Sequence, residues 1–413
     1  MNEQKAYPKI NITGLLFPVF TLVGIGLMMV YSSSSIVALD KFGNSFHYVR
    51  NHLVTIITSL TGLYVASRIK YTVFRNNILI FFVLLFSLGL LCLVFVPGLG
   101  VSAGGARRWI RLWPSTFQPS EVAKIGLILF MALYISKNIN RMESLFFGMV
   151  APLCVMGIFQ GVLLMQPDFG SAMTFGFITV SMLYLGGVKR IYLIGLFLVM
   201  MPGVVMLLVT ASYRMKRITA FIDPWKDPMG NGYQLIQSFI AIGNGGLTGL
   251  GPGGSVQKLY FLPESHTDFI FSIIGEEFGL VGASFVLLLF IWVVVQGIRI
   301  AMNKKDLFAY YLAMGVTVMI GFQSLVNFCV TTGLMPTKGL PLPFISYGGS
   351  AQLVNMIAVG MLVNIATMDE PPVTDTDEQR AFSQKGRLES LSKIQGTKRR
   401  KNIIRRSWFR KIF

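Results

Sequence analysis

Residues Leu259–Gly279 read LYFLPESHTDFIFSIIGEEFG. The stretch gathers Glu264, His266, Asp268, Glu276 and Glu277 in a chain with only 18 Asp and Glu among 413 residues. A glycine-rich polar segment precedes it and a long apolar run follows. Asp268 therefore falls where a water-facing loop becomes a membrane helix. A carboxylate at that border reaches both water and a molecule embedded in lipid. The bland alternative is that Thr267 or Asp268 only caps the following helix.

Composition agrees with a membrane setting. The chain is 53% hydrophobic and 13% charged, against about 25% charged in soluble domains, and its mean hydropathy is +0.63. Apolar runs long enough to cross a bilayer recur throughout. Backbone groups in lipid must pair within the segment, so these runs are expected to be helices. Strand-like alternation is absent, which argues against an outer-membrane barrel. The expected class is an all-α polytopic membrane protein.

About ten spans of the usual length follow: Ile12–Ser33, Val49–Ser67, Ile78–Val96, Val122–Ile135, Leu145–Met165, Ala172–Leu185, Ile191–Thr210, Phe269–Ile300, Leu307–Val330 and Ser350–Thr367. The fourth, sixth and tenth are short, as if completed by polar residues inside the bundle. Residues 1–368 read as one membrane domain, 211–267 as its large external loop and 369–413 as a basic cytoplasmic tail. The Met1–Lys9 segment is polar and the first apolar run is too long for a signal-peptide core, so no cleavable leader is expected.

The net charge of +18 does not point to nucleic acid, because the basic residues lie between spans and in the tail, where topology and anionic lipid account for them. Lys and Arg after the even-numbered spans put those loops and both termini in the cytoplasm. Two external loops break that bias. One carries Arg107, Arg108 and Arg111; the other carries Arg214, Lys216, Arg217 and Lys258. Lipid headgroups are one explanation, and phosphate, which arginine holds well, is the other.

The external loop contains DPWKDPMGNGYQ and GNGGLTGLGPGGS without clear periodicity. Its Trp225, Tyr233, Tyr260 and Phe261 argue against disorder. Gly249, Gly251 and Gly254 match GxGxxG only formally, because no strand precedes them and Pro252 interrupts them. They are expected to let the backbone approach a ligand or the membrane surface. The tail is acidic at first, then basic, and ends with aromatics among Arg and Lys, as in a disordered linker with an anionic-lipid anchor. Cys92, Cys154 and Cys329 lie in apolar runs without metal-ligand spacing and are expected in the core.

Other ionisable groups invite chemistry. Glu121 and Lys124, in QPSEVAK, share a helix face at i, i+3, with Ser120 as the expected cap. Ionisable residues at membrane depth usually line a cavity, though a cap and ion pair would suffice. Asp168, in QPDFGS, is a turn or cap, or a partner for an external arginine. Glu276 and Glu277 could be first-turn acids only, beside Gly275, Gly279 and Ala283, whose spacing permits close helix approach. His266 reads as a hydrogen-bonding loop residue, since no second histidine is spaced for zinc. Lys338 is the single charge of the proline-stiffened loop TTGLMPTKGLPLPFISYGGS, either solvated or placed to clamp phosphate.

Taken in order, RRWI with QPSEVAK, QPDFGSA, GNGYQLIQS, LPESHTDFIFSIIGEE and MPTKGLPLPFISYGGS resemble the SEDS family (FtsW, RodA, SpoVE), over all the spans but not the tail. PTKG before LPFISYGGS is closer to FtsW and SpoVE than to RodA. The resemblance implies a ten-helix peptidoglycan glycosyltransferase of the bacterial cytoplasmic membrane. It would polymerise lipid II into β-1,4 glycan at the outer face, with a class B penicillin-binding protein and other division proteins as partners. The family's catalytic aspartate falls on Asp268, its groove pair on Glu121 and Lys124, its external arginine on Arg108 with Arg107 beside it, and its loop lysine on Lys338. Glu264 is the further candidate near Asp268. No closed ligand set for a cofactor is visible; a divalent cation such as Mg2+ could assist a diphosphate. Two other functions compete. A lipid II flippase would carry its charges deep in mid-span. An inactive scaffold would tolerate a neutral residue at Asp268.

Overall fold

A computed structural model describes residues 12–103, 106–112, 115–210 and 212–368. The basic tail expected at 369–413 lies outside the described residues. The helices are α1 (Thr13–Phe42), α2 (His47–Arg68), α3 (Asn77–Leu93), α4 (Pro119–Asn138), α5 (Ala151–Met165), α6 (Phe169–Leu185), α7 (Arg190–Thr210), α8 (Ser212–Ile222), α9 (Tyr233–Gly245), α10 (Ile270–Met302), α11 (Leu307–Thr331) and α12 (Gly349–Thr367). The expected spans fall on α1 to α7 and α10 to α12. Six described helical segments are long and apolar enough to cross a membrane, and three more apolar ones are shorter. The protein is a multi-pass helical membrane protein.

Helices α4, α11 and α12 form the buried centre, while α3 and α7 leave most side chains exposed, as lipid-facing helices do. On α2 the buried residues His52, Ile56, Ser59 and Leu63 recur at helical spacing, and this face packs on α12. Asn364 pins the end of that pair: its Nδ2 donates to Ser67 O at 2.8 Å and its Oδ1 accepts from Tyr71 N at 2.9 Å. The short fourth span is completed as expected, because Pro119, Ser120, Glu121 and Lys124 are buried in the bundle.

Several expectations need correction. The loop after α3 contains an antiparallel sheet of β1 (Gly100–Ala103), β2 (Ala106–Leu112) and β3 (Ser115–Phe117), in the order β1-β2-β3. It is too short to show as alternation against the apolar background. The loop 211–267 contains α8 and α9. The cysteines are free and not in the core: Cys92 and Cys154 are exposed and Cys329 is half-buried. Ser120 does not cap α4; Gln118 occupies that position without a side-chain bond, and Pro119 opens the helix.

The glycine-rich segment packs against α10. Within α10, Gly279 has φ +64°, a left-handed conformation that interrupts the helix. The groups left without helical partners there are taken up by the loop. Leu250 N and Gly251 N donate to Glu276 O and Glu277 O, each at 3.0 Å, while Leu280 N and Val281 N donate to Gly246 O and Leu247 O at 2.9 and 3.2 Å. Burying an unpaired backbone group is costly, so kink and loop require each other.

Candidate active site

The site forms where the start of α10, the start of α4, the α5–α6 turn and the loop before α12 meet. Asp268 lies just before α10 and is half-buried. Neither it nor Thr267 caps that helix: Phe269 holds the cap position and no side-chain cap bond forms. The capping alternative is thereby removed. Thr267 Oγ1 instead bonds the exposed Glu264, at 2.8 Å to its Oε2, and Glu264 has φ +56°. The Asp268 carboxylate lies against Gly339, where a Cβ would stand 2.8 Å from Oδ2. Among the described residues it makes no ion pair.

Burial, helped by the charge of Glu264, pushes Asp268 up to about 7, against the opposing pull of Arg108 and Arg217. A carboxyl poised there exchanges a proton near neutrality. Lys338 is brought down to about 8, first by burial and further by Arg217, with Asp168 acting the other way. Lys338 is not a solvated lysine. Its Nζ lies 4.6 Å from the centre of the Phe169 ring and 3.0 Å from Met173 Sδ. Arg214 stands over the same ring at 5.6 Å.

Strand β2 separates the two arginines that the sequence left unresolved. Arg107 is exposed, whereas Arg108 is half-buried and points to Asp168, with Nη1 3.6 Å from Oδ1. Both readings of Asp168 therefore hold, since it also caps α6 by accepting from Ser171 N at 3.1 Å. Ser171 Oγ donates to Asp168 Oδ2 at 2.6 Å and lies 3.1 Å from Ser120 Oγ, which joins this turn to α4. Beside it, Lys124 Nζ donates to Glu121 Oε1 at 2.7 Å, and both side chains are almost completely buried. Two buried polar atoms here have no partner, Arg108 Nε and Glu121 Oε2. Buried polar groups are normally satisfied, so this region has unused capacity for a polar ligand.

Glu276 and Glu277 are not simple first-turn acids. Both are buried and bind the glycine-rich loop. Glu276 accepts from Ser255 Oγ and from Val256 N, the latter at 3.2 Å; Glu277 pairs with Lys258 at 2.9 Å. Lys258 is thus used inside the fold and is not an external phosphate ligand. The His266 ring lies tilted against Tyr48 of α2 and Tyr347, with centroids at 5.1 and 5.7 Å.

The profile of the FtsW/RodA/SpoVE family, described as cell cycle proteins, matches residues 13–370. The chain belongs to that family. A probable peptidoglycan glycosyltransferase FtsW of Geobacter sp. (strain M18) is 43% identical over 342 residues, covering 83% of this chain and 93% of the relative. The stage V sporulation protein E of Bacillus subtilis is 38% identical over 354 residues, covering 85% and 96%. Among solved structures, a chain from a peptidoglycan synthase complex that coordinates polymerization and crosslinking aligns with TM-score 0.71 and 30% identity, over 87% of this chain and 98% of that one. Thermus thermophilus RodA aligns with TM-score 0.63 and 26% identity, over 89% and 100%. The FtsW/RodA/SpoVE match spans every helix described here and hence the whole candidate site.

Sequence reasoning missed four residues at this site. Gly339 gives the Asp268 carboxylate its space, which no residue pattern signals. Phe169 and Met173 shelter Lys338, but Phe169 looked like part of a short turn and Met173 like an ordinary span residue. Asn327, whose Nδ2 donates to Asp268 O at 2.9 Å, lies in an apolar run, and there a buried amide was a usable signal.

Proposed function

We propose that this chain is a peptidoglycan glycosyltransferase that polymerises lipid II into β-1,4 glycan strands at the outer face of the bacterial cytoplasmic membrane. The observation that carries the proposal is the setting of Asp268: a carboxyl at the mouth of a membrane helix with no ion pair among the described residues, poised near neutral pH in the field of Arg108 and Arg217. Family membership and the names of its relatives support the reaction class.

The acceptor lipid II offers its sugar 4-hydroxyl to Asp268, which takes the proton as the oxygen attacks the anomeric carbon of the donor. The bond from that carbon to the diphosphate oxygen breaks with inversion, and undecaprenyl diphosphate leaves with the electron pair. Negative charge grows on the diphosphate, where Arg108, Lys338 and Arg217 stabilise it. Lys124, buried and paired with Glu121, sets the charge balance of the groove floor. Among the described residues no three His, Cys, Asp or Glu side chains gather as a metal-ligand set. No step is assigned to a protein-held cation; Mg2+ is proposed only as a companion of the substrate diphosphate.

The buried charges Glu121, Lys124, Glu276 and Glu277 lie in the N-terminal parts of α4 and α10 rather than in mid-span, which favours chemistry at the surface over transport. The proposed partner is a class B penicillin-binding protein at the division septum, in keeping with the synthase complex that the fold resembles. The test supplies lipid II to the purified protein, with and without such a partner. Glycan chains are expected with the partner present; intact lipid II in both arms would overturn the proposal.

A further inference from the structure

Three consecutive carbonyls of the segment ending in Asp268 are each held by the last external loop or by α11. His266 O accepts from Tyr347 N at 2.9 Å. Thr267 O accepts from Ser346 Oγ at 2.6 Å, and that hydroxyl accepts from Leu342 N at 2.8 Å. Asp268 O accepts from Asn327 Nδ2 at 2.9 Å, and the same nitrogen donates its second N–H to Leu340 O at 2.8 Å. One amide thus joins the residue bearing the carboxylate to the residue after Gly339.

We propose that Asn327 is a positioning residue for this site: its two N–H groups hold the main chains of Asp268 and Leu340 at one spacing and so keep the Asp268 carboxylate seated over the bare Cα of Gly339. The proposal deepens the glycosyltransferase reading and rests on it. Asn327 is 2% exposed and its Oδ1 has no partner. An unsatisfied buried amide oxygen costs stability, so packing alone does not explain an asparagine here. The amide cannot turn over, because both facing groups are carbonyls that only accept. A shift of about 1 Å in a reacting group is enough to cost on the order of 10²-fold in rate, and this clamp governs a displacement of that size. Gly339 is the second half of the device. It is exposed, and the first atom its added Cβ would meet is the Asp268 carboxylate oxygen. Gly339→Ala therefore displaces that side chain without opening the bundle.

The test compares wild type, Asn327→Ala, Gly339→Ala and Asp268→Asn, all full chain in detergent with lipid II and the partner synthase. It follows polymerisation and, separately, carbodiimide labelling of Asp268 against pH by mass spectrometry. Asn327→Ala and Gly339→Ala are expected to lose about 10–100-fold in kcat with little change in KM, and the labelling midpoint in Asn327→Ala falls as water reaches the carboxylate. Unchanged kcat in Asn327→Ala, or lost kcat with an unchanged labelling curve, overturns the positioning role. Should Asn327→Ala fail to fold, Gly339→Ala decides: wild-type kcat there overturns the seating. Activity in Asp268→Asn instead overturns the general-base reading, and the labelling curve then decides the positioning role alone.

Discussion

Arg108 and Asp168 face each other across the site, the guanidinium Nη1 3.6 Å from the carboxylate Oδ1. One comes from strand β2 and the other from the cap of α6, so the pair helps tie the sheet to the bundle. Asp168 serves two masters, and the two can be separated by substitution. Asp168→Asn keeps an oxygen for Ser171 N but loses the charge that holds Arg108. It is expected to leave thermal stability nearly unchanged while raising KM for lipid II. Asp168→Ala loses the cap as well and costs about 1 kcal/mol. Thermal unfolding in detergent beside steady-state polymerisation distinguishes the two.

The Glu121–Lys124 pair offers a sharper energetic test. Both side chains are withdrawn from solvent and joined at 2.7 Å. Removing one partner leaves an uncompensated buried charge, a loss of about 3–5 kcal/mol. Lys124→Met and Glu121→Gln are each expected to unfold at clearly lower temperature, and the double variant to recover part of that loss. Additive losses in the double variant would mean that the two charges do not depend on each other.

The pH profile follows from two groups. Activity rises as Asp268 loses its proton at about 7 and falls as Lys338 loses its proton at about 8, which gives a narrow bell in kcat/KM. The charge of Glu264 raises Asp268, so Glu264→Gln moves the acidic limb to lower pH. Lys338→Arg keeps its charge and removes the alkaline limb. An acidic limb that stays in place in Glu264→Gln would show that another group sets it.

Gly279 supplies a prediction about the fold. Its left-handed φ and its position against the loop leave no room for a side chain: a Cβ would meet Gly249 N and Leu247 O, each at 2.5 Å. Gly279→Ala is expected to cost on the order of 1–3 kcal/mol and to expose residues 246–258 to protease. Limited proteolysis reads this directly.

How much of this was legible beforehand depended on the scale of the signal. Long apolar runs marked most spans to within a turn or so, because lipid imposes both helix and length; α1 is the exception and continues past the expected Ser33 to Phe42. The Glu121–Lys124 pair was legible from spacing, and Asp168–Arg108 was foreseen as one of two roles. Short elements were not legible: the sheet of residues 100–117 is stabilised by its neighbours rather than by its own pattern. The burial of Glu276 and Glu277 was hidden because their partners, Ser255 and Lys258, become neighbours only once Gly279 has bent the helix. The amide of Asn327 stood out as a polar group in an apolar run, but its partners did not, since Leu340 lies 13 residues away and Asp268 lies 59.

The general-base role of Asp268 is tested most directly by one substitution. Purified Asp268→Asn, with a class B penicillin-binding protein and lipid II, is expected to remain folded in detergent micelles and to form glycan at least about 10²-fold more slowly than wild type. Glycan formation by Asp268→Asn at the wild-type rate would contradict the account.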